Sequence, residues 1–164
     1  MDTPPQEHVY PLADAKPRAI VVCCCDSRFQ RAFREFIANE LHLNEGEYIP
    51  MVISGGVASL SEPLRLPKEF KYVKDRIQFF LEVFDSVNRL VLINHDDCRH
   101  YAAMKESFGP TFLQHVQHIS ERQIKDLLSV AKALIGLGAP GLQIEVYYAR
   151  LVKNGTTTVR FEKY

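Results

Sequence analysis

Three short apolar runs, at residues 18–24, 48–53 and 89–94, are separated by segments in which apolar residues repeat at helical spacing. A short apolar run of this kind is typical of a strand buried on both faces of a parallel sheet. Pro50 weakens the second run as a regular strand, because proline cannot donate to a sheet ladder. Two helices are predicted from apolar positions at helical spacing, first Phe29, Phe33, Phe36, Ile37 and Leu41, then Phe70, Val73, Ile77, Phe80, Leu81 and Phe84.

The last third of the chain predicts a long helix followed by a hairpin. Pro110 can open the helix, and an apolar stripe continues it until a cluster of glycine and proline residues ends it. Residues 99–108 before it are interpreted only as a brief connecting segment. Residues 142–151 and 156–161 are predicted strands, and Asn154-Gly155 between them is a strong hairpin signal.

The alternation of strands and helices predicts the fold class. Such alternation implies right-handed crossovers and a mostly parallel sheet. We therefore predict a three-layer α/β domain whose four parallel strands have the order 2-1-3-4, with an added antiparallel fifth strand. Ligands of such sheets bind beyond the carboxyl ends of the strands, where the strand order reverses. The first and third strands end near Cys24 and His95, so adjacent strands would bring these side chains to one site.

The composition is that of one globular domain. The chain has 164 residues, of which 46% are hydrophobic, and its twenty basic residues balance twenty acidic ones. Residues 1–17 contain four prolines, which predicts an extended arm before a single domain of residues 18–164. Because a neutral chain has no general attraction for nucleic acids or anionic membranes, we expect a small-molecule substrate and neither of those partners. The lack of a secretory leader and of an apolar run of roughly 20 residues predicts a cytoplasmic protein.

The candidate chemistry lies just after the first and third predicted strands. The chain has four cysteines, and three of them are consecutive, which fits reduced thiols or metal ligands better than a disulfide scaffold. A catalytic zinc ion takes three protein ligands, commonly thiolates and imidazoles, and keeps a fourth position open. We therefore predict a zinc site at Cys24, His95 and Cys98. Asp26 and Arg28 follow closely, and an arginine fork pairs well with a carboxylate, so we expect this pair beside the metal.

Two segments, Cys24-x-Asp26-x-Arg28 and His95-x-x-Cys98, closely resemble the signature motifs of the β-class carbonic anhydrases. The order of the elements and the closing hairpin are also similar, so the resemblance covers most of the chain. The resemblance implies that Cys24, His95 and Cys98 bind Zn²⁺ and that Asp26 and Arg28 form the catalytic pair. The implied reaction is the reversible hydration of carbon dioxide to bicarbonate by a zinc-bound hydroxide. The implied assembly is a homodimer or a higher even oligomer. Some family members place the aspartate in the fourth zinc position, and the sequence leaves this open.

Two positions depart from the pattern of that family. The loop that usually reads Arg-Asn-Ala-Gly here contains Ser54, Gly55 and Gly56, and the residue after Cys98 is Arg99 instead of the usual glycine. Ser54, Gly55, Gly56 and Arg99 are the predicted substrate pocket. Because arginine adds bulk and a permanent charge where glycine permits close approach, two alternatives to carbon dioxide hydration stay open. One is a hydrolase of carbon disulfide or carbonyl sulfide, and the other is a zinc-binding protein without catalysis.

Other residues near these motifs have simpler interpretations. Cys23 and Cys25 are predicted to be buried apolar residues on the face opposite the metal ligand. Asp96 and Asp97 are interpreted as turn and cap residues. A remote alternative is a Cys-x5-Arg phosphatase with Cys25 as nucleophile and Arg31 as its arginine. That loop lacks glycine and carries an aspartate that would repel a phosphate.

Overall fold

The computed structural model describes residues 7–136 and 141–164. Residues 7–18 form no helix or strand, and most of them are exposed. Residues 1–6 of the predicted arm lie outside the described residues, so the arm and its boundary with a single domain stay predictions. Within the described part, no helix is both long and apolar enough to cross a bilayer.

The described chain alternates strands with helices. In chain order the elements are β1 (Ala19–Cys24), α1 (Gln30–Asn39), β2 (Tyr48–Ile53), α2 (Ala58–Ser61), α3 (Pro67–Val83), β3 (Arg89–His95), α4 (Arg99–Phe108), α5 (Ile119–Ile135), β4 (Gln143–Asn154) and β5 (Thr156–Lys163). A 3-10 helix (Gly109–Leu113) connects α4 to α5.

The five strands form one sheet in the order β2-β1-β3-β4-β5. β1 pairs in parallel with β2 and β3, β3 pairs in parallel with β4, and β5 is antiparallel to β4. The predicted strand order and the antiparallel fifth strand are therefore confirmed. Pro50 is tolerated in β2 because an edge strand has one side without a ladder partner.

The helices differ from the prediction before α5. Residues 99–108, expected to be a brief connecting segment, form α4, and α5 begins at Ile119 rather than at Pro110. Pro110 lies instead in the first turn of the 3-10 helix. The signal for α4 was available, because Tyr101 and Met104 are buried at helical spacing on one face.

The sheet is covered on both faces, which makes three layers. Ile20 and Val22 of β1 belong to the core formed with α2, α3 and α5. Ala19, Val21 and Cys23 belong to the core formed with α1 and β5. Alternate residues of β1 thus enter different cores, and this two-sided burial explains why the strand is apolar throughout.

Gly56, in the loop after β2, lies against the carboxyl end of β3. Its φ is +59°, and a Cβ at this position would lie 2.5 Å from Asn94 Oδ1 and 2.9 Å from Ile93 O. Both the left-handed backbone and the close approach require glycine here. The loop can therefore rest directly on the strand that ends at His95.

We expect Gly56→Ala to destabilise the protein more than Gly155→Ala does. Both glycines have a left-handed φ, but a Cβ at Gly155 would meet no atom of the described residues within 4 Å. Strain alone predicts a cost of about 1–3 kcal/mol for Gly155→Ala, and Gly56→Ala adds the clash with Asn94. Urea unfolding measures the difference in the free energy of unfolding between the two variants, provided that their m-values are equal. Equal unfolding midpoints would contradict the close packing of the loop.

Candidate metal centre

Three potential metal ligands meet at the carboxyl end of the sheet. Cys24 ends β1, His95 ends β3, and Cys98 immediately precedes α4. All three are buried, and their ligand atoms lie within 4.8 Å of one another. The two sulfurs are 3.9 Å apart, close to the separation of about 3.8 Å for two thiolates bound tetrahedrally at about 2.3 Å from zinc. The spacing of the donors therefore fits a single zinc ion.

The imidazole of His95 is oriented to bind a cation. Its Nδ1 lies 2.7 Å from the carbonyl oxygen of Asp96, so Nδ1 carries the proton and donates to that oxygen. Nε2 is buried without a hydrogen-bond partner among the described residues. A buried acceptor with no partner is costly. A metal ion held with the two sulfurs would satisfy the Nε2 lone pair, so the residues present fit the group.

The two cysteine thiols interact directly. Their hydrogen bond lowers the pKa of Cys98 to about 7 and, with burial, raises the pKa of Cys24 to about 12. The backbone N–H groups of Tyr101 and His100, at the start of α4, also lower the pKa of Cys98. The Gly55 N–H donates to Cys24 Sγ at 3.4 Å. The lowered pKa of Cys98 beside the raised pKa of Cys24 predicts that, without a cation, the pair keeps one proton near pH 8, which a divalent ion must displace.

The chain around His95 is held by a hydrogen-bonded clamp, defined here as Asp96, Gln123 and Tyr148. Gln123 Nε2 donates to the His95 carbonyl oxygen at 2.9 Å. The Tyr148 hydroxyl lies 2.9 Å from Asp96 Oδ1 and 2.8 Å from Gln123 Oε1. Asp96 Oδ2 accepts the Leu151 N–H at 3.0 Å. The clamp fixes the peptide whose carbonyl orients the imidazole.

Asp26 and Arg28 form the expected pair. Arg28 donates from Nε to Asp26 Oδ1 at 3.0 Å and from Nη2 to Asp26 Oδ2 at 2.7 Å. This fork lowers the pKa of Asp26 to about 2. Arg28 also donates to Asp97, to the carboxylate at 2.7 Å and to the carbonyl at 2.9 Å. Asp97, predicted to be only a turn residue, therefore joins the loop of Arg28 to the loop of His95.

An open cleft of about 290 Å³ exposes this centre to solvent. It is lined by Cys24, Cys25, Asp26, Ser27, Arg28, Ser54, Cys98, Arg99 and His100. Of the predicted substrate pocket, Ser54 and Arg99 line the cleft, whereas Gly55 and Gly56 are buried and do not. The Ser54 hydroxyl lies 2.9 Å from His100 Nδ1.

Cys25 and Arg31 differ from the interpretations given to them. Cys23 is buried as predicted, but Cys25 is exposed in the cleft, because β1 ends one residue earlier. The prediction that it is buried is wrong. Arg31 is not part of the cleft lining, and its guanidinium pairs with Glu35 on α1. The constellation that a Cys-x5-Arg phosphatase needs is therefore not assembled around Cys25.

Comparison with known proteins finds relatives in structure. No family model and no curated protein matches the sequence. A β-carbonic anhydrase isoform from Trichomonas vaginalis has a TM-score of 0.53 at 14% identity, over 96% of this chain and 90% of that chain. A carbonic anhydrase from Streptococcus mutans has a TM-score of 0.53 at 16% identity, over 93% and 87%. One of two tetrameric β-carbonic anhydrases from Sordaria macrospora has a TM-score of 0.53 at 12% identity, over 88% and 83%.

This chain has the β-carbonic anhydrase fold. The fold expected from the two motifs is thereby confirmed, while identities of 12–16% leave the reaction to be argued from the site itself. Sequence reasoning about this β-carbonic anhydrase fold missed the bridging role of Asp97 and the clamp around His95. One feature of the sequence indicated a role for Asp97, namely its position between the ligand candidates His95 and Cys98. Tyr148 had none, because its register beside Asn94 follows only from the pairing of β3 with β4.

We expect zinc binding to release protons in a pH-dependent number. Thiolates bind the ion, so about one proton leaves the two thiols per zinc at pH 8, and the number rises toward two as pH falls below the Cys98 pKa of about 7. The affinity must therefore fall as the pH falls. Calorimetry in buffers of different ionisation enthalpy counts the protons, with Cys25→Ser as a control that keeps the wild-type number. A release that is the same at pH 6 and pH 8 would contradict the shared proton.

Tyr148→Phe should weaken zinc binding by about 10- to 100-fold, the usual effect of losing a group that orients a ligand. Tyr147→Phe is the matched control, because the Tyr147 hydroxyl donates to Glu145 on the other face of β4. Competition with a chromophoric chelator gives both affinities. Equal affinities in the two variants would show that the clamp does not orient His95.

Proposed function

We propose that this protein is a zinc enzyme that catalyses the reversible hydration of carbon dioxide to bicarbonate. The observation that carries the proposal is that two thiols lining an open cleft converge with a buried imidazole nitrogen that has no hydrogen-bond partner among the described residues. A set of three ligands next to an open cleft is the arrangement of a catalytic zinc site, whereas structural zinc sites usually have four protein ligands.

Each ligand has a defined task in this proposal. Cys24 and Cys98 supply negative charge, and His95 supplies a neutral nitrogen whose other side is fixed by the Asp96 carbonyl. When bound, zinc lowers the pKa of water toward neutrality and so provides hydroxide for attack on an electrophilic carbon. Because two thiolates neutralise the ion, that decrease in pKa is smaller than in a site of three neutral imidazoles.

Asp26 and Arg28 are proposed to orient the reacting water. Asp26 is ionised throughout the neutral range, since Arg28 lowers its pKa to about 2, and it is therefore an acceptor and not a proton donor. Arg28 is the positioning residue because its fork engages both carboxylate oxygens. While those bonds persist, Asp26 is restrained from moving to the fourth zinc position.

A second candidate is the same zinc chemistry on another small electrophile, such as carbon disulfide or carbonyl sulfide. Ser54 and Arg99 line the cleft and differ from the residues usual in the family. The lining of the cleft is therefore as consistent with carbon disulfide or carbonyl sulfide as with carbon dioxide. The third candidate is a zinc-binding protein without catalysis.

We also propose a homodimer or a higher even oligomer, for which the tetrameric Sordaria macrospora proteins are a structural precedent. Zn²⁺ as the resident metal belongs to the same proposal. A cytoplasmic location stays a prediction from the sequence.

The neighbouring cysteines allow a matched test of the proposal. Cys24→Ser should lose the metal and all carbon dioxide hydration, since it removes one of three ligands. Cys25→Ser should keep stoichiometric zinc, because that side chain is exposed and outside the ligand set. Elemental analysis gives the zinc content and stopped-flow indicator assays give the hydration rate on the same samples.

The outcomes distinguish the candidates. Zinc with hydration in the wild type supports the carbonic anhydrase. Zinc without hydration but with hydrolysis of carbon disulfide or carbonyl sulfide supports the second candidate, and zinc with none of these activities supports a non-catalytic protein. Stoichiometric zinc in Cys24→Ser, or none in the wild type purified without chelators, would overturn the metal centre.

A further inference from the structure

The cleft contains two arginines with different surroundings. Arg28 is neutralised by Asp26 and Asp97, which both lie 2.7 Å from its guanidinium. Arg99 lines the same cleft and is exposed. Within residues 7–136 and 141–164, its side chain makes no ion pair and no hydrogen bond. Among the described residues Arg99 therefore carries an unpaired positive charge, on a residue that lines the same cleft as the two cysteines.

Arg99 determines the net charge of the loaded centre. With the proposed zinc ion in place, its charge of +2 cancels the two thiolates. Asp26 and Asp97 against Arg28 leave one negative charge, which would repel an anion. Arg99, which is exposed and lines the cleft, brings the sum to zero. Because local charge controls the entry and retention of charged ligands, this residue decides whether the cleft accepts an anion.

The size of the cleft leaves room for such a ligand. Its volume is about 290 Å³, whereas one water molecule needs only about 10–15 Å³ of the same kind of volume. Carbon dioxide has three heavy atoms and would fill a small part of it. The planar guanidinium fork of arginine matches the two oxygens of a carboxylate.

We infer that Arg99 is a specificity-determining residue that binds small planar anions bearing a CO₂⁻ group beside the metal centre. The inference rests on the proposed function for the zinc ion. Two sources share this chemistry, namely bicarbonate, the product of the proposed reaction, and small organic monocarboxylates. Arg99 retains either anion in the cleft through a bidentate contact.

The test is calorimetric titration of the zinc-loaded protein with bicarbonate, formate and acetate. Arg99→Ala should weaken binding of the preferred anion by about tenfold or more, as expected for the loss of a charge-assisted pair. Arg99→Lys keeps the charge without the fork and should lie between Arg99→Ala and the wild type. Arg34→Ala is the matched control, because Arg34 is an exposed helical arginine on α1 that does not line the cleft.

The outcomes are separable from those of the proposed function. Wild-type anion affinity in an Arg99→Ala protein with full zinc content overturns the inference, even if carbon dioxide hydration is retained. A loss confined to the Arg99 variants supports it, even if no hydration is found. Tighter binding of bicarbonate identifies the product as the ligand, and tighter binding of formate or acetate identifies an organic carboxylate. If Arg99→Ala does not fold, the same comparison is made with Arg99→Gln, where unchanged affinity again overturns the inference.

Discussion

The parallel pairing of β1 with β3 is the constraint from which the rest of the site follows. Val22 lies opposite Leu92 in the register, so the two strands end at the same edge of the sheet. That edge places a cysteine and a histidine together without any long loop. Burial of the histidine leaves Nε2 unpaired among the described residues, a cost that a bound cation removes. A metal ion bound here would therefore stabilise the fold, because the folded chain holds donors whose buried arrangement the unfolded chain lacks.

The sequence predicts the central sheet of this molecule well because its inner strands are buried on both faces. A continuous apolar run such as that of β1 has few other interpretations, and the short hairpin signal at Gly155 fixes the antiparallel fifth strand. The ligand candidates are recognisable because they directly follow such runs. What the sequence does not predict depends on the third dimension. The Tyr148 hydroxyl reaches Asp96 only through the register of β3 with β4, and Arg28 reaches Asp97 across 69 residues.

The exposure of Cys25 shows how sharply the surroundings of a side chain change at the end of a strand. Cys23, Cys24 and Cys25 are chemically identical, yet the first packs in the α1 core, the second faces the proposed metal and the third lies in the open cleft. Strand alternation accounts for the first two. It fails for the third because the regular backbone ends at Cys24. The alternation of side chains thus predicts which face a residue occupies inside the sheet, but it no longer applies one residue beyond the end of the strand.

The proposed ligands Cys24 and His95 are held differently from Ser54 and Arg99, which shape the cleft. Cys24 and His95 lie on central strands, and the clamp further restrains the histidine. Ser54 lies in a loop, and Arg99 begins a helix with its side chain in solvent. Ser54 and Arg99 can be exchanged without moving the proposed metal ligands, because they contribute little to the core. In the proposed zinc enzyme the metal site can therefore stay the same while the charge and size of the accepted molecule change, and Arg99, directly after the proposed ligand Cys98, occupies a position of this kind.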